Sequence, residues 1–198
     1  MINQYWSFII IHQSSVIINE EQHIREAQRD PQAFRPLYEK YYPSIFQFVY
    51  RRVDDESTAA DITSQVFLNA LLHLKRYKIT KAPFQSWLYR IAHNEVMQFF
   101  RRTKHVRKIV IDERLLTELK NEEDASPDYM EQWRSRLVAT INTLPLDEVQ
   151  LLELRFFEQK PFREIGFILN ITENHAKVKT YRLLSKLRQR LEIQIPTS

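Results

Sequence analysis

Apolar side chains recur at three- and four-residue steps along most of the chain, and that spacing predicts helices. From Glu20 onward, Phe34, Leu37, Tyr38, Tyr41, Ile45, Phe46 and Val49 form one stripe. Pro43 falls inside it and is expected to bend or break that helix, because it lacks an N–H and its ring crowds the preceding turn. Asp55-Glu-Ser-Thr58 carries a start signal, and Ala59, Ile62, Val66, Phe67, Ala70, Leu71 and Leu74 make a second stripe. A polar, basic loop follows from Lys75 to Pro83. The third stripe, Phe84, Trp87, Leu88, Ile91, Ala92, Val96 and Phe99, ends in the acid-free tail Arg101-Arg-Thr-Lys-His-Val-Arg-Lys108.

From Asp112 to Glu131 the charge inverts, with eight acids against two bases. Asn121-Glu-Glu-Asp-Ala-Ser-Pro127 reads as solvated linker, and Ser126-Pro127 as an N-cap and first helical residue. Beyond it, Trp133, Leu137, Ile141 and Leu144 mark a helix that stops at Pro145. Asp147 restarts one bearing Val149, Leu152 and Phe156. Pro161 opens a short one with Ile165, Ile168 and Leu169, and Thr172 caps a last helix running to about Ile195. The pattern predicts an all-α chain of two small helical domains. Its boundaries are residues 20–108 and 128–198, joined by a flexible acidic linker at 109–127 and preceded by an N-terminal extension at 1–19 of no assigned role.

Composition narrows the chemistry. The chain of 198 residues has a single glycine, Gly166, whereas phosphate-cradling loops and dinucleotide folds need several. With no cysteine, disulfides, thiolate metal sites and cysteine nucleophiles are excluded. The histidines are scattered, with no pair at metal-ligand spacing, so no metal or other cofactor is expected. No apolar run reaches the ~18 residues of a membrane span. The N-terminal Trp6-Ser-Phe-Ile-Ile-Ile-His12 lacks the basic start and small-residue cleavage site of a signal peptide. Net charge is only +4, so the local segregation of charge carries more meaning than its sum.

Two constellations stand out. Pro161–Leu169, the turn Asn170-Ile171, and the helix from Thr172 have the layout of a helix-turn-helix, whose second helix lies in the major groove. There Ile171, Ala176, Leu183, Leu184 and Leu187 can face inward. Thr172, Glu173, Asn174, His175, Lys177, Lys179, Arg182 and Lys186 are candidates for base edges and phosphates. From Thr172 to Arg190 there are six bases and one acid, an excess suited to counterion release, although a plain solvated basic face would read the same way.

The second constellation, Tyr77 to Lys108, interleaves aromatics with bases, the combination that holds single-stranded DNA. Trp87 sits at core spacing and is expected inside, whereas Tyr77 lies in a loop and escapes that objection. Asn94 has an amide suited to reading a base, and is equally an ordinary surface residue of a helix.

The stretch Phe84-Gln-Ser-Trp-Leu-Tyr-Arg-Ile-Ala-His-Asn94 with Arg101-Arg102 resembles the most recognisable block of extracytoplasmic-function (ECF) RNA polymerase sigma factors. So do Ala60-Asp-Ile-Thr-Ser-Gln-Val-Phe67, Leu144-Pro145, Leu154-Arg-Phe-Phe-Glu158, Phe162-Arg-Glu-Ile165 and the Thr172 helix with Lys177 and Arg182. The blocks stand in family order over about residues 20–192. The resemblance implies a non-enzymatic, bacterial, cytoplasmic subunit that helps initiate transcription. It implies that Asp61, Ser64, Gln65 and Leu68 grip the clamp helices of the largest subunit of core RNA polymerase, with the flap as a further contact. Arg76, Tyr77, Lys78, Arg90, His93, Asn94, Arg101 and Arg102 would serve the minus-ten element as single strand, and the Thr172 helix the minus-thirty-five element as duplex. Anti-sigma factors are common in the family and so are a candidate partner.

This chain departs from the family at several places. Ser64-Gln65 stands where Gln-Glu is usual, which removes a charge from the polymerase contact. Gln98, Gln159 and Leu183 replace the usual Asp, Gly and Ala. Gly166 replaces Ala, and Thr180 replaces a larger apolar residue. Gln159 must therefore leave its helix without the residue that eases a left-handed cap. A helix-turn-helix regulator acting without polymerase would account for residues 145–195 but leave the Trp87–Asn94 block idle. A nuclease would need a carboxylate or histidine cluster that the sequence does not provide.

Overall fold

The computed structural model describes residues 20–53, 55–80, 82–103, 115 and 127–193, and all regular structure among them is helical. Helix α1 (Glu20–Arg29) leads through a 3-10 turn at Pro31–Phe34 into α2 (Arg35–Val53), α3 (Glu56–His73) and α4 (Phe84–Thr103). The second half contains α5 (Pro127–Asn142), α6 (Leu146–Leu152), a π-helical turn at Glu153–Phe157, α7 (Phe162–Leu169) and α8 (Glu173–Ile193). The expected N-terminal extension, the tail beyond Thr103, the Ser126 cap and all of the acidic linker except Leu115 and Pro127 lie outside the described residues.

Pro43 does not break its helix: α2 runs unbroken from Arg35 to Val53 with Pro43 inside. One lost backbone bond is a local cost, whereas Leu37 and Tyr41 before it and Ile45, Phe48 and Val49 after it are all buried in one core. Burial on both sides holds the two halves in a single element.

The expected caps form. The Asp55 carboxylate accepts the Thr58 N–H at 2.7 Å at the start of α3, and the Thr172 hydroxyl accepts the His175 N–H at 3.1 Å at the start of α8. Gln159 takes the left-handed conformation (φ 52°), and the Lys160 N–H reaches back to the Leu154 carbonyl at 2.9 Å. Asn170 does the same at the end of α7 (φ 57°), making the tight turn into α8. Gly166 faces that turn, where an added Cβ would stand 2.8 Å from the Ile171 carbonyl oxygen. The absence of a side chain is therefore what lets α7 and α8 meet so closely.

Helices α2, α3 and α4 pack on one another, and α1 is tied across them. Glu20 accepts from Lys40 at 2.7 Å and from the Tyr41 hydroxyl, while the Gln28 amide donates to the carbonyls of Leu74 and Tyr77 at 3.0 and 2.8 Å. Burial would raise the Glu20 pKa, but Lys40 and Tyr41 together hold it below its ordinary value. The C-terminal half divides its apolar residues between two cores. Leu137, Ile141, Leu152, Leu183, Leu184 and Leu187 form one, which also encloses Leu115. The linker expected at 109–127 thus has an anchor within it. Leu151, Leu154, Ile165, Ile168 and Ala176 instead join the N-terminal core, so the two halves share a continuous apolar interior through α4 and α7.

Candidate nucleic-acid interface

The candidate surface of the C-terminal half is built by α8. Its inner face buries Ala176, Thr180, Leu183, Leu184 and Leu187. Thr180 belongs to that face, and its hydroxyl donates to the Ala176 carbonyl at 2.8 Å, so a polar residue is accommodated at an inward position without an orphan group. On the outer face Thr172, Glu173, Asn174, His175, Lys177 and Arg182 are exposed at the N-terminal half of the helix, the half that a helix-turn-helix presents to base edges. Lys179 and Lys186 are placed differently. Lys179 pairs with Asp147, and Lys186 with Glu148 at 3.0 Å, so both turn toward α6. The Lys179 hydrogen bond holds the Asp147 carboxyl below its ordinary pKa. These two lysines brace the helix from behind, whereas Lys177 and Arg182 face outward.

On α3, Asp61, Ser64, Gln65 and Leu68 are all exposed and share one helical face. Leu72 extends it: Leu68 is 50% and Leu72 65% exposed, while the opposite face carries buried Ile62, Val66, Phe67 and Ala70. Sequence reasoning passed over Leu72, although its position off the buried stripe is the signal that marks it as a surface apolar residue.

The expected minus-ten residues are in unequal situations. Asn94, Arg101, Arg102, Arg76 and Lys78 are exposed. Tyr77, placed by the sequence in a loop and outside the core spacing, is half-buried against an aromatic wall, with ring centroids 5.3 Å from Phe84 and 4.7 Å from Trp87. Trp87 is itself half-buried against the core, as its spacing suggested. Burial raises the Tyr77 pKa. His93 is half-buried on the α4 face that also carries Tyr89 and Met97, and burial together with the nearby Arg52 charge pushes its pKa down to about 4. Its Nδ1 has no hydrogen-bond partner among the described residues. A neutral imidazole at that place contributes shape and a possible donor or acceptor, not charge.

Arg90 is already engaged by the C-terminal half. Its guanidinium donates to the Asn170 side-chain oxygen at 3.3 Å and lies 5.5 Å from the Phe167 ring centre. Several neighbours are covered in the same way. The Tyr89 hydroxyl donates to Glu158 at 2.6 Å, Ser86 donates to Glu164, and Lys160 donates to Gln85 at 3.0 Å. Below them Arg52, 2% exposed, is paired with Glu153 at 2.8 Å, and Arg51 with Glu158 at 3.2 Å. Arg52 and Glu153 were not singled out from the sequence, and Ser86, Glu158 and Glu164 stood there only as members of the family-like blocks, because charged residues at helical spacing look like solvated faces.

Among the described residues no group of three or more histidines and carboxylates is placed to hold a metal ion, and no described helix is long and apolar enough to cross a membrane.

Comparison with known proteins coincides with this geometry. Residues 37–106 match Sigma-70 region 2, and residues 140–189 match Sigma-70, region 4. The RNA polymerase sigma factor SigZ of Bacillus subtilis is 30% identical over 156 residues, 79% of this chain and 85% of that one. The ECF RNA polymerase sigma factor SigM of the same organism is 25% identical over 152 residues, 77% of this chain and 91% of that one. Among solved structures, a chain of the complex of CnrH with the cytosolic domain of CnrY superposes with a TM-score of 0.58 at 16% identity, over 87% of this chain and 97% of its own length. A chain of the complex between the sigma factor RpoE and the anti-sigma factor NepR from Bartonella quintana gives 0.54 at 14% identity, over 82% and 98%. The two likenesses in structure show the fold; the matched regions and relatives show that this chain belongs to the ECF RNA polymerase sigma factors.

Proposed function

We propose that the two halves divide promoter recognition between duplex and single strand. In this reading a unit of residues 20–108 docks on core RNA polymerase through Asp61, Ser64, Gln65 and Leu68, extended by Leu72. The same unit receives splayed bases of the minus-ten element around Asn94 and Tyr77, with Arg101 and Arg102 on nearby phosphates. A unit of residues 128–198 reads the minus-thirty-five element with the outer face of α8, and residues 109–127 tether the two. The observation that carries the reading is the outer face of α8, where Asn174, His175, Lys177 and Arg182 are exposed while the inner face of the same helix is locked into a leucine core.

The polymerase supplies the chemistry and this chain supplies the address, so it acts in the bacterial cytoplasm and performs no catalysis of its own. Unpairing costs a few kcal/mol per base and is offset by stacking and hydrogen bonds in the base-receiving site. The RpoE relative from Bartonella quintana is bound by an anti-sigma factor, and a regulator of that class is a candidate partner for this chain.

Reconstitution with core polymerase, followed by transcript mapping on genomic DNA, tests the reading. Asn94→Ala is expected to weaken strand opening more than duplex binding, and Lys177→Ala the reverse. Equal loss of both steps in both variants would contradict the division of labour.

A further inference from the structure

We infer that α1 is a strap that sets the shape of the base-receiving loop, with Gln28 and Glu20 as positioning residues at the two ends of that loop. The inference rests on the functional reading above, in which Tyr77 and Asn94 receive splayed bases, and it names what holds that site ready. Helix α1 precedes the stretch matched to Sigma-70 region 2, so the match itself assigns it no role.

The loop joins the 3-10 turn at Leu74–Arg76 to the start of α4 at Phe84. At its first end the Gln28 side-chain amide donates to two carbonyls, Leu74 at 3.0 Å and Tyr77 at 2.8 Å. Both N–H groups of the amide are thereby used, and the two carbonyls flank the turn that delivers Tyr77. At the other end the Glu20 carboxylate accepts the Phe84 backbone N–H, besides Lys40 and the Tyr41 hydroxyl. That N–H is one of the donors that open α4 without an intrahelical partner, and a carboxylate suits it by charge as well as by geometry. Between the two ends α1 is a ruler: eight residues of helix span about 12 Å. Ile24 and Ala27, 2% and 3% exposed, root it in the core. The rings follow the same path. Tyr77 rests on Phe84 and Trp87, and Tyr41, held by Glu20, lies 5.7 Å from Phe84. A shift of α1 therefore moves both the backbone that carries Tyr77 and the wall on which its ring rests.

Capture of a splayed base is sensitive to such a strap. A loop that is not held must be ordered when the base arrives, and the apparent affinity falls by the fraction of molecules in the competent shape. Gln28 does not touch the base in this scheme; it acts through the backbone on either side of Arg76. All of the named partners lie in the N-terminal half, so duplex binding by α8 is not tied to them.

The test uses the full chain with core polymerase. Gln28→Met keeps the length and bulk of the side chain and donates nothing, whereas Gln28→Lys can donate again. Gln22→Met, at an exposed place on the same helix, is the comparison. On a promoter found by transcript mapping, strand opening is read by the permanganate reactivity of unpaired thymines, and duplex binding by gel retention in the cold. Gln28→Met is expected to lower opening about tenfold and to leave duplex binding unchanged. Gln28→Lys should recover most of the opening, and Gln22→Met should change neither step. Glu20→Ala, at the other end, is expected to act in the same direction as Gln28→Met, and full opening by it would overturn a strap with two ends. In the free chain the Tyr77 N–H donates to the Leu74 carbonyl at 3.0 Å, and its hydrogen exchange is expected to rise in Gln28→Met and return in Gln28→Lys. Unchanged opening or unchanged exchange in Gln28→Met would overturn the inference, as would an equal loss in Gln28→Lys or Gln22→Met, or a matching loss of duplex binding. If the unmodified chain directs no transcription, it is the sigma-factor reading that fails, and the exchange measurement still decides whether Gln28 holds the loop.

Discussion

The outer face of α8 and the α4 face around Arg90 carry similar residue types, yet the structure treats them differently. On α8 four of the six bases split cleanly: Lys177 and Arg182 face outward, and Lys179 and Lys186 are anchored on Asp147 and Glu148. The pairing of this face is thus complete within the C-terminal half. On α4 the bases and polar groups are shared with another part of the chain. Arg90 meets Asn170, Tyr89 meets Glu158, and His93 sits neutral beside buried Arg52. In the proposed reading, duplex recognition would be a local property of one helix and its supports, whereas the α4 face shares its polar groups with the other half.

The sharpest way to break this contrast is through the shared interior. Leu154, fully buried in the core that joins the halves, is expected to cost about 3 kcal/mol on change to alanine. Hydrogen exchange should then rise in α4 as well as in α7. Leu187→Ala, within the second core, should cost a similar amount while leaving α4 protected. Loss of protection confined to the C-terminal half in both variants would show that the halves do not support each other.

Next in size is the effect of acid on α4. His93 is neutral in the fold down to about pH 4, against an ordinary value of 6.5. Between those limits the unfolded chain binds a proton that the folded chain refuses. Stability should therefore fall as pH drops from 6.5 toward 4 and be level above 6.5, by on the order of 2 kcal/mol once water reaching the half-buried ring is allowed for. Denaturation midpoints across that range should flatten in His93→Phe. An unchanged slope would place the acid sensitivity elsewhere.

The caps offer a smaller and more local comparison. Asp55→Ala and Thr172→Ala each remove an acceptor from a helix start, at about 1 kcal/mol apiece. The first should loosen α3 and the second α8, as read by exchange at Thr58 and His175. The finest distinction is within α8. Lys177→Ala should reduce the salt dependence of duplex binding by about one phosphate contact, while Lys186→Ala should leave the slope unchanged. Equal slopes would mean that Lys186 leaves Glu148 when DNA binds.

Much of this architecture is readable from one-dimensional spacing. The stripes from Leu37 to Val49 and from Ala59 to Ala70, the caps at Asp55 and Thr172, and the left-handed exit at Gln159 each depend on residues within a few positions of one another. Helical period, an acceptor at a helix start and a turn without glycine are short-range facts, so the chain states them directly. The inward face of α8 and its outward Lys177 and Arg182 belong to the same class.

Pro43 shows the limit from one side: its local preference was overruled because buried residues on either side keep α2 whole. Arg51-Arg52 and Glu153–Glu158 show it from the other. In the sequence they are charged positions about a hundred residues apart, each with the look of a solvated face. Only folding brings Arg52 to Glu153 and Arg51 to Glu158. What the chain determined by itself is its helices, their caps and the side of α8 that meets solvent, because these follow from neighbours along the backbone. Which charges are buried, where Tyr77 rests and what holds Arg90 were decided by the packing of α7 on α4, a contact between surfaces that no local period encodes.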